Sequence, residues 1–321
     1  MTIAPFVRIL GRGPGRSRSL TREEAFEALT LVLNGEAAPE AIGAMLMLMR
    51  MKGEVPDEIA GFAEAARASL PALPAPALDW PSYAAGRTRG LPWFLLSARL
   101  VASAGYPVLM HGWNSHQSEH ASVRDALPLV GIPVAETADA VAASLEHAGI
   151  AYMPLEAFSP RLLELLQLRS HLGLRSCINT VLRVLNPGGA AASVQGVFHP
   201  PYRELQQDAG ALLGLPALTV IKGGGGEFER NPAKGVAGFG LRAGRAWEQG
   251  WPELIDETRR LNDGETDPAR LVALWEGRLD DPFSEAIVVG TAALALDTLG
   301  VAGAERAARD LWDGRTRALA A

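Results

Sequence analysis

The chain is 321 residues long, 48% hydrophobic and 21% charged, with a formal net charge of −6. That composition describes a globular protein with room for about two domains. It exerts no global pull on polyanions, so any nucleic-acid or phosphate site must be a local basic patch. The only cysteine, Cys177, excludes an internal disulfide, and the longest apolar runs, Met45–Met49 and Ile287–Leu296, are too short to span a bilayer. With no apolar h-region after the first arginines, a cytoplasmic protein is expected.

In chain order, residues 1–20 interleave Arg8, Arg12, Arg16 and Arg18 with Gly11, Gly13 and Gly15, and no acid precedes Glu23. Such a segment buries little, so a solvated basic arm is expected, able to neutralise phosphates. Thr21 and Glu24 spell a capping box, and Ala25, Phe26, Leu29, Val32 and Leu33 line one face of a helix that Asn34-Gly35 stops. Pro39 opens a second helix, apolar nearly all round, which must be covered on several sides. Pro56 opens a third that ends near Leu70. The four prolines of 71–81 read as a stiff connector.

Beyond it, short strands alternate with helices, which predicts an α/β fold with a mostly parallel sheet. Strands are expected at 108–111, 151–153, 193–198, 219–221 and 236–241. Helices are expected at 91–104, 119–129, 137–147, 159–183, 202–213, 268–276, 283–299 and 302–314. The expected organisation is a small all-α unit over residues 1–75, with part of 159–190 packing on it, and an α/β domain over 76–321.

Four stretches carry candidate chemistry. In LTVIKGGGGEFERNP, a buried strand ends at Lys222 and releases Gly223, Gly224, Gly225 and Gly226, then Glu227, Glu229 and Arg230. Glycine lets backbone N–H groups come close to an anion, and ligands of open α/β sheets sit where strands end. In YAAGRTRGLP, Arg87 and Arg89 precede a helix start and make an anion-binding corner. In HGWNSHQSEH, His111, Asn114 and Ser115 are polar ligands past a strand. There His116, Glu119 and His120 spell H-x-x-E-H, but in a loop rather than on the helix that a zinc site needs. Finally Arg169, Ser170, His171, Arg175, Asn179 and Arg183 fall at helical spacing, so Arg169 can face what Arg87 faces. Cys177, in apolar LGLRSCIN, reads as core.

These stretches resemble, in order and over almost the whole chain, the anthranilate phosphoribosyltransferase and class II nucleoside phosphorylase superfamily. NGEAAPEAIGAMLMLMRMKGEVPDEIAGFAEA, LMHGWNSHQS, LGLRSCINTVLRVLNP and VIKGGGGEFE carry the resemblance. It implies an α domain and an α/β domain with a cleft between them, a homodimer formed through the α domains, and Mg²⁺-dependent transfer of a phosphoribosyl or ribosyl group. The departures are specific. AAGRTRG stands where the family has an Asp-containing diphosphate loop, and Met110-His111-Gly112 where it has Lys-His-Gly. Gly226-Glu227 replaces a metal-holding Asp-Glu pair, and Arg169 matches an arginine that meets the aromatic acceptor.

RILGRGPGRSR and GRTRGLPWFLL are similar to the YbiB-like branch, whose members are regarded as nucleic-acid binders. That resemblance implies a sequence-nonspecific binder of nucleic acid, single-stranded DNA first. Its phosphate contacts would come from Arg87, Arg89, His111, Asn114, Ser115, Arg169, Lys222, Gly223, Gly224 and Arg230 and from Arg8, Arg12, Arg16 and Arg18, with Trp113 stacking on a base. The alternative is a Mg²⁺-dependent glycosyltransferase using a phosphorylated sugar, with Glu227 and Glu229 as metal ligands. No catalytic residue is assigned.

Overall fold

The computed structural model describes residues 2–83, 90–113, 122–257, 259–261 and 263–317. Four helices come first: α1 (Ala4–Gly11), α2 (Arg22–Leu33), α3 (Pro39–Lys52) and α4 (Pro56–Ala68). The expected arm is in fact a docked helix. Phe6 and Leu10 bury one side of α1, which packs on α3, because the apolar residues among the arginines recur at helical spacing. Arg8, Arg12 and Arg16 remain exposed on it and on the turn behind it, whereas Arg18 clasps Glu24 at 2.6 and 2.7 Å. The Thr21–Glu24 capping box is present on both sides. Glu58 reaches across this unit, accepting from Leu20 N at 2.9 Å and Val55 N at 3.1 Å.

The α/β domain contains β1 (Leu78–Ser82), α5 (Phe94–Ser103), β2 (Val108–Gly112), α6 (Val123–Leu129), α7 (Ala138–Ala148) and β3 (Ile150–Pro154). Next come α8 (Leu155–Phe158), α9 (Pro160–Gln167), α10 (Arg169–Leu172), α11 (Ile178–Val184), β4 (Ala192–Val197), α12 (Tyr202–Leu212) and β5 (Ala217–Lys222). The chain finishes with β6 (Val236–Arg242), β7 (Arg245–Trp251), α13 (Ala269–Trp275), α14 (Pro282–Thr298) and α15 (Ala304–Gly314). The seven strands form one sheet in the order β3-β2-β1-β4-β5-β6-β7. β1 to β5 pair in parallel, and β6 and β7 add an antiparallel edge. α14 is buried almost all round and packs against α5 and α15. On the other face, α9 and α11 share a core with α2–α4 and with Leu109, Ala151 and Met153 of the sheet.

Three further elements differ from expectation. β1 occupies the prolines' supposed connector. Its pairing with β4 covers only Leu78↔Ala192 and Asp79↔Ser193, so the missing N–H of Pro81 falls where β1 faces β2 alone. β7, an exposed polar edge strand, offers no apolar run to read. The single helix expected over 159–183 is broken at Gly173, whose φ of 69° closes α10 in the left-handed conformation.

Candidate functional site

The strand order reverses between β1 and β4, and the two strands part after Asp79 and Ser193. A crevice therefore opens beyond their carboxyl ends, where ligands of such sheets bind. A buried polar chain forms its floor. Asp79 accepts from Ser193 Oγ at 2.7 Å, and Ser193 Oγ accepts from Gln195 Nε2 at 3.2 Å. On the other side Asp79 Oδ1 lies 3.2 Å from His111 Nε2. The opposite ring nitrogen, His111 Nδ1, lies 2.9 Å from Tyr83 Oη. All of these side chains are buried, and burial holds the Tyr83 hydroxyl protonated well above its ordinary range. His111, expected at a phosphate, is instead inside the floor.

The glycine run leaves the end of β5 beside this floor. Lys222 is exposed there. Three of the four amides expected to be free are taken: Gly223 N donates to Val197 O at 3.2 Å, Gly224 N to Glu229 O at 3.1 Å and Gly226 N to Gly223 O at 3.2 Å. The glycines serve close packing instead. A Cβ on Gly223 would stand 1.7 Å from Glu227 O, one on Gly196 of β4 would stand 2.0 Å from Glu227 C, and Gly225 and Gly226 turn at φ 63° and 93°. This tight turn buries both carboxylates that follow. Glu229 Oε2 accepts from Phe94 N at 2.9 Å, at the start of α5. Arg230 turns away from Lys222: its Nη2 donates to Pro252 O at 2.6 Å and its backbone N to Thr291 Oγ1 at 2.9 Å.

Beside the crevice a cavity of about 410 Å³ is lined by Arg50, Arg169, Arg175, Arg183, Asn179 and Tyr202, with His199 at its rim. Among the described residues no carboxylate lines it. Arg183 is fixed in its wall, with Nη1 donating to Asn179 O at 2.8 Å and Nη2 to Tyr83 O. Arg50 donates to Tyr202 Oη at 3.1 Å, and that hydroxyl donates to Glu54 at 3.3 Å. Arg175 bears the concentration of positive charge: burial first, then Arg169, Arg183 and Arg50, push its pKa down to about 10. Four guanidiniums converging without a lining acid make an anion site.

The structure groups Arg169, Arg175 and Arg183 although the single helix expected to carry them is broken at Gly173, and sets Lys222 at the neighbouring strand end. Arg8, Arg12 and Arg16 do not line the cavity. Arg87, Arg89, Asn114 and Ser115, with His116, Glu119 and His120, lie outside the described residues. Trp113 is half-buried against the helical core. Sequence reading missed Arg50 and Tyr202, which arrive from α3 and α12 and have no local pattern. Asp79 was hidden in the proline stretch.

Among the described residues no group of three or more His, Cys, Asp or Glu is placed to hold a metal ion. Mg²⁺ takes one or two carboxylates along with substrate phosphates and water, so Glu227 alone fits a metal shared with a phosphorylated ligand. Glu229 is committed to Phe94.

Residues 5–70 match the glycosyl transferase family, helical bundle domain, and residues 94–237 match the glycosyl transferase family, a/b domain. The chain is 31% identical over 312 residues to anthranilate phosphoribosyltransferase of Methylocella silvestris, covering 92% of this chain and 88% of that one. To the enzyme of the same name from Rhizobium rhizogenes it is 34% identical over 212 residues, 64% of this chain and 61% of that one. In fold it is similar to anthranilate phosphoribosyltransferase from Saccharomyces cerevisiae in complex with PRPP and Mg. That likeness has a TM-score of 0.77 at 14% identity and covers 97% of this chain and 92% of that one.

Proposed function

The chain belongs to the glycosyl transferase family that includes the anthranilate phosphoribosyltransferases, and on that premise we propose that it transfers a phosphoribosyl group to an anionic acceptor. The observation that carries this reading is the arginine-lined cavity beside the crevice, whose surplus positive charge suits a carboxylate-bearing acceptor. In the reaction the acceptor's nucleophile bonds to the anomeric carbon, and diphosphate leaves with the electron pair of the broken bond. Arg169 and Arg175 hold the acceptor's anion and Arg183 stiffens the wall behind it. Lys222, exposed at the end of β5, meets the donor's phosphates. Mg²⁺, held by Glu227 with those phosphates, would supply neutralising charge to the leaving group. The floor of Asp79, His111 and Tyr83 fixes β1 and β2 against each other, so that the loops following both strands keep their spacing.

Nucleic-acid binding, the leading expectation from the sequence, finds no support in these relatives, which are phosphoribosyltransferases by name. The transferase alternative is the better reading. We further propose a homodimer formed through the helical unit, where Met51 is 82% exposed in the last turn of α3. The deciding experiment compares thermal stabilisation by phosphoribosyl diphosphate with Mg²⁺, by Mg²⁺ alone and by single-stranded DNA. Stabilisation by the sugar diphosphate with metal, and not by metal alone, is expected. Salt-sensitive stabilisation by DNA with no response to the sugar would restore the nucleic-acid reading.

A further inference from the structure

On the far side of the glycine turn, Arg230 is buried against α14, laid over Gly290, where a Cβ would come within 3.2 Å of its Cδ. Only Nη2 has a hydrogen bond, to Pro252 O, and neither Nε nor Nη1 has a partner among the described residues. Among the described residues no carboxylate pairs with it. Glu305 is the acid whose charge reaches it, and Arg309 beside it is paired instead with Glu285. The guanidinium borders a cavity of about 180 Å³ whose other walls include Leu254, Ile255, Ala286, Val289 and Ala293.

A buried charge without a counter-ion is costly, and native structures supply it a partner. Water offers neither the charge nor a match to the apolar walls. We propose that this cavity binds a small organic anion, a carboxylate on a short aliphatic body, with Arg230 as its anchor and the leucine, isoleucine and valine side chains around its tail. Glu305, at the mouth, opposes the ligand by its own charge. The site is separate from the acceptor cavity and does not depend on the transferase reading. It does adjoin the glycine turn, because Arg230 follows directly on Glu229, which caps α5.

The test is thermal unfolding of the full chain titrated with butyrate, with butanol and sodium chloride at matched ionic strength as controls. Butyrate is expected to raise the unfolding temperature saturably while neither control does. The response should vanish in Arg230→Gln and in Ala293→Leu, which fills the cavity and leaves the arginine in place. It should persist in Arg169→Ala, which alters only the acceptor cavity, and should half-saturate several-fold lower in Glu305→Gln. Absence of a butyrate response, an equal response to butanol or chloride, or a response that survives both Arg230→Gln and Ala293→Leu would overturn the proposal. A response lost in Arg169→Ala alone would do the same, by placing the ligand elsewhere.

Discussion

Two clusters of polar side chains lie against each other at the carboxyl end of the sheet, and they are built on opposite principles. In the floor, Asp79 has His111 on one oxygen and Ser193 on the other, and His111 passes its second nitrogen to Tyr83. In the cavity, Arg50, Arg169, Arg175 and Arg183 converge with no acid among the described residues that line it. Buried polar groups that bond one another contribute rigidity, whereas like charges gathered in one cavity repel and are eased when a ligand brings an anion among them. The first cluster therefore holds the site, and the second waits for what the site binds.

Substitutions separate the two. The largest effect is expected at Asp79→Ala, which takes the acceptor from Ser193 Oγ, removes the carboxylate 3.2 Å from His111 Nε2 and leaves a hole in the floor, and should cost about 2–5 kcal/mol in urea unfolding. A cost below about 1 kcal/mol would mean that the floor is not what fixes β1 to β2 and β4. Next comes Gly196→Ala. Its Cβ would meet the Glu227 backbone carbon at 2.0 Å, so about 1–3 kcal/mol should be lost, together with affinity for the sugar diphosphate. An unchanged midpoint would show that the glycine turn can shift freely.

The sign reverses in the cavity. Arg175→Gln should leave the ligand-free protein as stable as the wild type or slightly more so, while weakening binding of an aromatic carboxylate by about tenfold. The pH dependence follows. The folded-state pKa of Arg175 lies at about 10, well below the ordinary guanidinium value, so from about pH 10 up to that ordinary value the unfolded chain binds more protons than the folded one. Wild-type stability should therefore rise with pH across that window relative to Arg175→Gln. Carboxylate affinity of the wild type should fall above about pH 10, as the Arg175 charge is lost. The smallest effect is expected at Glu229→Ala, which removes one bond to Phe94 N at a helix end where water can take its place, and should cost about 0.5–1 kcal/mol of stability.

What could be read beforehand divides along the same line. The helical unit and the parallel sheet were legible because periodicity is a local property, and Arg169, Arg175 and Arg183 were legible as a basic stretch although the one helix expected to carry them is broken at Gly173. β1 was not, since Pro76 and Pro81 argue against a central strand; its tolerance depends on how far β4 runs alongside it, a tertiary fact. The Lys222 glycine turn was visible as a site of close approach, but not what approaches it. The residue that fills the space is its own Glu227 backbone rather than a ligand. Arg230 looked like a phosphate ligand by proximity in sequence, yet the chain leaving the glycine turn lays it against α14. Arg50 and Tyr202 meet across 152 residues of chain, a distance no motif spans.

The most direct test of the central claim is a calorimetric titration of anthranilate, as a probe of the acceptor cavity, into the wild type and Arg175→Gln, each saturated with phosphoribosyl diphosphate and Mg²⁺. The arginine cavity as acceptor site predicts saturable binding to the wild type, lost or reduced about tenfold in a variant that unfolds no more easily. Equal affinity in the two proteins, or weaker binding only in a variant that has itself been destabilised, would contradict it.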